Sequence, residues 1–295
     1  MFWATFQDVI WPSSVIDKAI PSSHARESSR SRASESKALP SRSGYAACAS
    51  ASASKEQRNA SVTFPGLTRM ASDMIVYWGS GSPPCWRILL CLEEKALQGY
   101  QQKLLSMEKQ EHKSAAVIEI NPRGQLPAFR HGEHVINESL GAVLYLENQF
   151  KAQGTKLMPE AAAEQAVVLQ RMFEVPTLHQ KSVIVIMYTW IVPEAERHES
   201  AVTRNKQALG EELKLWEGYL AKLGSGSYIA GKNFTLADVV FFPNLAFCFR
   251  FGLSVDKYPH LSAYYSLVKE RPSVQASWPP HWKESDGAQE VLKDI

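Results

Sequence analysis

Residues 75–95 read IVYWGSGSPPCWRILLCLEEK, and their order decides the fold class. Ile75 to Gly79 has strand character, Ser80 to Pro84 forms a Ser/Gly/Pro turn, and Ile88, Leu89, Cys91 and Leu92 then recur at helical spacing. The pattern predicts strand, tight loop and helix, with Arg87, Glu93, Glu94 and Lys95 free to face water or a partner. Such a loop aims the helix N-terminus, with its unpaired N–H groups and positive dipole end, at whatever sits over Ser82. An anion suits that place, and a thiolate is one such anion.

After this helix, Tyr100–Leu105 alternates as a second strand, and Lys109–Ile120 is polar and helix-tolerant. Asn121-Pro122-Arg123-Gly124 ends that segment, because proline disfavours helix in the residue before it and glycine permits a turn. Leu126–Phe129 and Glu133–Ile136 flank Arg130–Gly132 with hairpin character, and Ser139 opens a helix in which Leu140, Val143, Leu144 and Leu146 share one face. The order is βαβ, then ββα. Gln153–Pro159 reads as a linker, and the signal beyond it is helical. Ala161–Trp190 is apolar-periodic with a kink expected at Pro176. Val202, Leu209, Leu213, Trp216, Leu220 and Leu223 form one stripe that Gly224–Ser227 stops. Thr235 to Asp238 has the pattern of a capping box, and Tyr258-Pro259 opens a helix that Arg271-Pro272 closes. A small α/β domain over 70–152 is therefore expected before an all-α helical bundle over 160–272, with 273–295 as a tail.

The chain of 295 residues is long enough for two domains, and its apolar fraction of 45% is ordinary for a protein with a sizeable core. A formal charge of +2 without clustered Lys and Arg gives no reason to expect nucleic acid or an anionic membrane as partner. The longest apolar run, Val183–Val192, is interrupted by Tyr188 and Thr189 and falls short of the roughly 20 residues of a spanning helix. Four cysteines without metal-ligand spacing point to a reducing compartment and to no metal site. Residues 1–69 differ in kind. From Pro21 to Ser61 they are mostly Ser, Ala, Arg, Lys and Glu, which cannot bury enough surface to fold alone. They read as a disordered, non-structural extension ahead of Met70. The alternative is a mitochondrial transit peptide, against which Glu27, Glu35 and Glu56 count.

Ser82-Pro83-Pro84-Cys85 has the spacing of a C-x-x-C motif with serine in the attacking position, which removes dithiol chemistry. The hydroxyl is either a plain helix cap or a donor to a thiolate that arrives with the substrate. Lowering a thiol pKa by two units needs roughly 2.7 kcal/mol, about what one charge-assisted hydrogen bond plus a dipole contributes. Leu126-Pro127 after a turn suggests a cis-proline whose preceding residue pairs with an extended peptide, or else proline at a sheet edge. Glu138-Ser139 caps a helix or also holds a ligand's ammonium and carboxylate. His112 and Lys113 lie in a polar loop that would ordinarily be solvated surface.

Taken together and in this order, the segment from Met74 to about Pro272 resembles a cytosolic glutathione transferase. Glu111-His112-Lys113-Ser114, Asn121 to Phe129 and Asn137-Glu138-Ser139 look like the glutathione-site motifs of the phi class, and Ser82 to Lys95 is more like the zeta and omega classes around Trp86-Arg87. The whole is most similar to the fish and invertebrate rho-type enzymes through Gly79 to Arg87. The resemblance implies a thioredoxin-like N-terminal domain, a helical C-terminal domain, glutathione as co-substrate and small hydrophobic electrophiles as partners. It further implies a cytoplasmic homodimer used in detoxification. Ser82 becomes the catalytic hydroxyl, with Ser80 as runner-up. Lys113, assisted by His112, takes the glycine carboxylate. The backbone of Leu126 before Pro127 pairs with the cysteinyl unit, and Gln125, Glu138 and Ser139 take the γ-glutamyl end. Rival readings are a non-catalytic scaffold of the same fold and a thiol transferase or peroxidase working through Cys85.

Overall fold

In the computed structural model, which describes residues 71–285 and 290–295, the first elements are β1 (Met74–Trp78) and α1 (Pro83–Glu94). The readings made for residues 1–69 lie outside the described residues. β2 (Gln101–Leu104) follows, then a 3-10 turn at Glu111–Lys113, α2 (Ala115–Ile120), β3 (Ala128–His131), β4 (His134–Ile136) and α3 (Ser139–Gln149). The strands form one sheet in the order β2-β1-β3-β4, β1 and β2 parallel and the other two pairs antiparallel. This is the expected βαβ then ββα topology. The hairpin turn is tighter than the sequence suggested: β3 runs on to His131, which faces His134 across Gly132 and Glu133, and Gly132 takes the positive φ of 55°.

Among the described residues the second half holds α4 (Ala162–Ile186), α5 (Tyr188–Ile191), α6 (Glu199–Leu223), α7 (Leu236–Arg250), α8 (Pro259–Lys269), α9 (Pro272–Ala276) and α10 (Pro280–Glu284). The α4 helix runs on past Pro176 to Ile186. On α6, Leu209, Leu213, Trp216 and Leu220 are buried as the stripe predicts, whereas Leu223 at its end stays exposed. The Thr235–Asp238 capping box is formed, and its carboxylate also accepts from Ile229 N and from the Tyr264 hydroxyl. Burial pushes Asp238 up to about 6 despite the donors that lower it. α7 is apolar on every side and buried from Leu236 through Cys248, so it is the central helix on which α4 and α1 pack.

The polar face expected on α1 is not there. Arg87 and Glu94 are each 4% exposed, Lys95 is fully buried, and only Glu93 of the four keeps partial contact with water. The reason is that α1 is covered on two sides, by the sheet layer and by the helical half, and each buried charge is partnered. Lys95 Nζ lies 2.7 Å from Glu147 Oε2 of α3 and 2.9 Å from the Thr155 carbonyl, while Glu147 accepts from Leu157 N and Met158 N. The 153–159 segment is thus clamped, and a side chain at Gly154, which has φ 60°, would collide with the Glu94 carbonyl. Glu94 in turn receives Arg271 Nε and Nη2, both at 2.9 Å, and the Ser273 hydroxyl.

The segment after 272 folds back along α1. Trp86 Nε1 donates to Ser277 Oγ at 2.9 Å, and the Trp86 ring meets Trp278 and Trp282 edge to face at 5.1 and 5.6 Å. Leu292 and Ile295 are buried, with Leu292 N bonded to the Phe251 carbonyl.

Candidate functional site

Strand register places the site. Trp78 ends β1 beside Leu104, Tyr77 faces Ala128 at the start of β3, and Phe129 faces Ile136 at the end of β4. The loop 79–82, the Leu126-Pro127 dipeptide and the Glu138-Ser139 pair therefore leave the sheet at the same end, though far apart in sequence. A Cβ built at Gly79 would stand 3.7 Å from Leu126 Cδ1, so the loop and the dipeptide adjoin. The Leu126-Pro127 bond is cis. Leu126 N–H and C=O make no hydrogen bond with described residues, which leaves both for an extended peptide.

Ser82 is the N-cap of α1 with extended backbone, yet its side chain makes no capping bond. Pro83 and Pro84 occupy the first two helical positions, and the Trp86 N–H is used by the Ser82 carbonyl. Two of the four N–H groups that a helix start usually offers are missing, so an anion here depends on the hydroxyl and the dipole. Ser80 is engaged elsewhere. Its Oγ lies 2.6 Å from His281 Nδ1 of α10, and Gly81 between the two serines (φ 78°) packs so closely on His281 and Trp282 that a Cβ would sit 2.7 Å from His281 Cε1. Burial, and then Arg250, hold the His281 imidazole below its ordinary value while Glu284 opposes them. With the ring proton on Nε2 the Ser80 hydroxyl donates to Nδ1, and in the other tautomer Nδ1–H donates to Ser80 Oγ; either way the two side chains are joined.

Cys85 is fully buried beneath this loop, with Gly79 N–H 3.4 Å from its sulfur. Burial pushes the thiol up to about 11, outweighing the Gly79 N–H, the Ser82 hydroxyl and the Arg87 charge that lower it. Such a thiol is protonated at neutral pH and shielded from a disulfide, which removes the support for redox chemistry through Cys85.

At the start of α3, Glu138 is the exposed N-cap residue and Ser139 the first helical one, so Ser139 is not the cap the sequence suggested. The Ser139 hydroxyl is buried and its oxygen accepts from Arg87 Nη1 at 3.1 Å, which leaves the hydroxyl proton for an acceptor outside. Arg87 also donates Nε to the Val240 carbonyl at 3.2 Å and Nη2 to Asn244 Oδ1 at 2.6 Å, and Asn244 Nδ2 meets His179 Nδ1 at 3.1 Å. Burial lowers Arg87 to about 10, so it stays charged, and burial with the Arg87 charge lowers His179 to about 3, so it stays neutral.

At the other end of the site, Lys113 closes the 3-10 turn and its Nζ donates to the Arg123 carbonyl at 3.3 Å. Its stem crosses Gly124, where φ is 56° and a Cβ would stand 2.9 Å from Lys113 Cδ. Neighbouring His112 is lowered by burial and by the Lys113 charge, and its Nδ1 has no partner among the described residues. The Gln125 carbonyl accepts from Asn121 Nδ2 at 2.8 Å, which fixes the turn ahead of Leu126. A cavity of about 740 Å³ lies elsewhere, lined by Lys206, Lys214, Glu217, Lys257, Tyr258 and Asp294, and shares no residue with this cluster.

Two family models match, the glutathione S-transferase N-terminal domain over residues 81–149 and the C-terminal domain over 179–272. Glutathione S-transferase A of Pleuronectes platessa is 62% identical over 226 residues, spanning 77% of this chain and all of that protein. The chain belongs to the glutathione S-transferase family. A probable glutathione S-transferase of Oryza sativa subsp. japonica is 32% identical over 197 residues, 64% of this chain and 88% of its own length. The crystal structure of a glutathione S-transferase from the Antarctic clam Laternula elliptica superposes with a TM-score of 0.68 at 38% identity, covering 76% of this chain and all of that one.

Membership gives the α/β and all-helical halves their family meaning. Four residues that line or brace the cluster escaped the sequence reading: Asn244, His179, His281 and Trp282. Arg87 entered it as a charge facing water or a partner and as the end of the Gly79–Arg87 motif, without a role in the site. Its period with Cys91 and Lys95 on the buried face was the available signal. Nothing in the sequence marks His281 as a neighbour of Ser80.

Proposed function

We propose that the chain is a glutathione transferase in which Ser82 donates a hydrogen bond to the glutathione thiolate and Ser80 has a structural task. The observation that carries this is the capture of Ser80 by His281 at 2.6 Å, with Ser82 left as the other loop hydroxyl at the start of α1. The γ-glutamyl end lies at Glu138, Ser139 and Gln125, the cysteinyl unit pairs with the Leu126 backbone before Pro127, and the glycine carboxylate reaches Lys113 with His112 beside it. The convergence of the 79–82 loop, Leu126-Pro127 and Glu138-Ser139 at one end of the sheet supports that reading.

The chemistry asks little of the protein. Binding energy from the two ends of the tripeptide fixes the sulfur beside Ser82, and the hydroxyl with the α1 dipole favours the ionised thiol. The thiol proton leaves to water, and the thiolate sulfur then bonds to an electrophilic carbon on a small hydrophobic partner held by the helical half, expelling halide from an aryl halide or, with an unsaturated aldehyde, shifting the C=C electrons into an enolate that takes a proton from water. We further read the enzyme as a cytoplasmic homodimer serving detoxification. No helix among the described residues is long and apolar enough to cross a membrane. The full chain, assayed with glutathione against an aryl halide and an unsaturated aldehyde, should form thioether conjugates. Disulfide reduction without conjugation would overturn the reading.

A further inference from the structure

Arg87 is a buried cation without an anion. Its guanidinium sits in the interface between α1, α3 and α7, and its three partners are the Ser139 hydroxyl, the Asn244 amide oxygen and the Val240 carbonyl, all neutral. It forms no ion pair among the described residues, whereas the other buried charges of α1 do: Lys95 has Glu147 and Glu94 has Arg271. A buried charge held only by neutral oxygens is an expensive arrangement, and an isolated one is ordinarily paired or replaced. The partner beyond it, Ser139, is the residue at which the proposed site receives a carboxylate.

We propose that Arg87 is the positioning residue and electrostatic counter-charge for the γ-glutamyl α-carboxylate of glutathione, acting through Ser139, so that the ligand supplies the anion the protein interior lacks. The inference rests on the reading that puts the γ-glutamyl end at Ser139. Arg87 Nη1–H donates to Ser139 Oγ, and the Ser139 O–H then donates outward to the carboxylate. The two bonds are in series and each strengthens the other. Because Arg87 is shielded from water, its field at the carboxylate is screened far less than that of an exposed lysine. Asn244 and neutral His179 complete the set on α7 and α4, holding the fork without cancelling its charge. An aspartate at 244 would have satisfied the same donor at 2.6 Å and removed the field.

The test uses two probes, glutathione and its analogue with the γ-glutamyl α-carboxylate converted to carboxamide, bound to the full chain at pH 8 and followed by calorimetry. The wild type should prefer glutathione by tenfold or more. Asn244→Asp, an isosteric change that gives Arg87 an internal anion, should erase most of that preference by weakening glutathione and sparing the carboxamide. Arg87→Met should do the same, and Arg87→Lys should keep more of the preference than Met. If Arg87→Met does not fold, Asn244→Asp still decides. A merely structural Arg87 would weaken both probes in equal proportion, and that result overturns the proposal while leaving the site reading intact. A wild type that does not distinguish the two probes overturns both.

Discussion

His281 Nδ1 stands 2.6 Å from Ser80 Oγ, so a residue beyond the matched C-terminal domain reaches the loop that opens the first helix. The Trp282 ring against Trp86 at 5.6 Å and the Arg250 fork on Ser285 help fasten the same segment. If the pair acts as a unit, Ser80→Ala and His281→Ala should each lower stability by about 0.5–1.5 kcal/mol. The double variant should lose no more than either alone. Urea unfolding of the four proteins at pH 8 measures the coupling, and simple additivity would show that the contact carries no energy.

The Lys95–Glu147 pair, with the two side chains 0% and 3% exposed, anchors the segment between the halves. Lys95→Met strips the cation from a buried carboxylate and should cost about 3–5 kcal/mol. Glu147 would keep the Leu157 and Met158 N–H donors, so the loss should sit near the lower end of that range. A thermal midpoint within a degree or two of wild type would contradict the assignment.

How much of this was legible depends on what kind of information each feature needs. The strand-loop-helix at 75–95, the βαβ then ββα order and the Thr235 capping box rest on local periodicity and turn chemistry, which sequence displays directly. The cis Leu126-Pro127 bond was legible from its turn context. Burial of Arg87, Glu94 and Lys95 was not, because a charge is hidden only when distant partners meet it. Those partners, Asn244, Arg271 and Glu147, lie on other elements. The same limit hid His281, two hundred residues from the serine it holds.

Asp238 gives a pH dependence with a definite sign. Its folded pKa of about 6 exceeds the ordinary 3.8, so the folded state binds the proton more tightly than the unfolded chain. Its contribution is then fully present below about pH 4 and falls as pH rises through about 6, by about 3 kcal/mol in all. Asp238→Asn has no such titration. The stability gap between wild type and Asp238→Asn should narrow between pH 4 and pH 7, and a gap that widens would mean the carboxylate is stabilised as an anion.

Lys113 and Glu138 mark the two ends of the proposed tripeptide site. Each alanine substitution removes a charge-assisted contact of about 1.5–3 kcal/mol at most. The Michaelis constant for glutathione should rise by about tenfold or more, and kcat at saturation should change little. An unchanged glutathione dependence in Lys113→Ala would take that residue out of the site.

The central claim is that Ser82, and not Ser80, stabilises the thiolate, and the ultraviolet titration of enzyme-bound glutathione tests it most directly. The thiolate absorbance should titrate well below the free thiol value of about 8.5 in the wild type and in Ser80→Ala. In Ser82→Ala it should move back towards that value, with conjugation at neutral pH falling about tenfold for each 1.4 kcal/mol lost. A bound thiol whose titration is unmoved by Ser82→Ala and raised by Ser80→Ala would contradict the account.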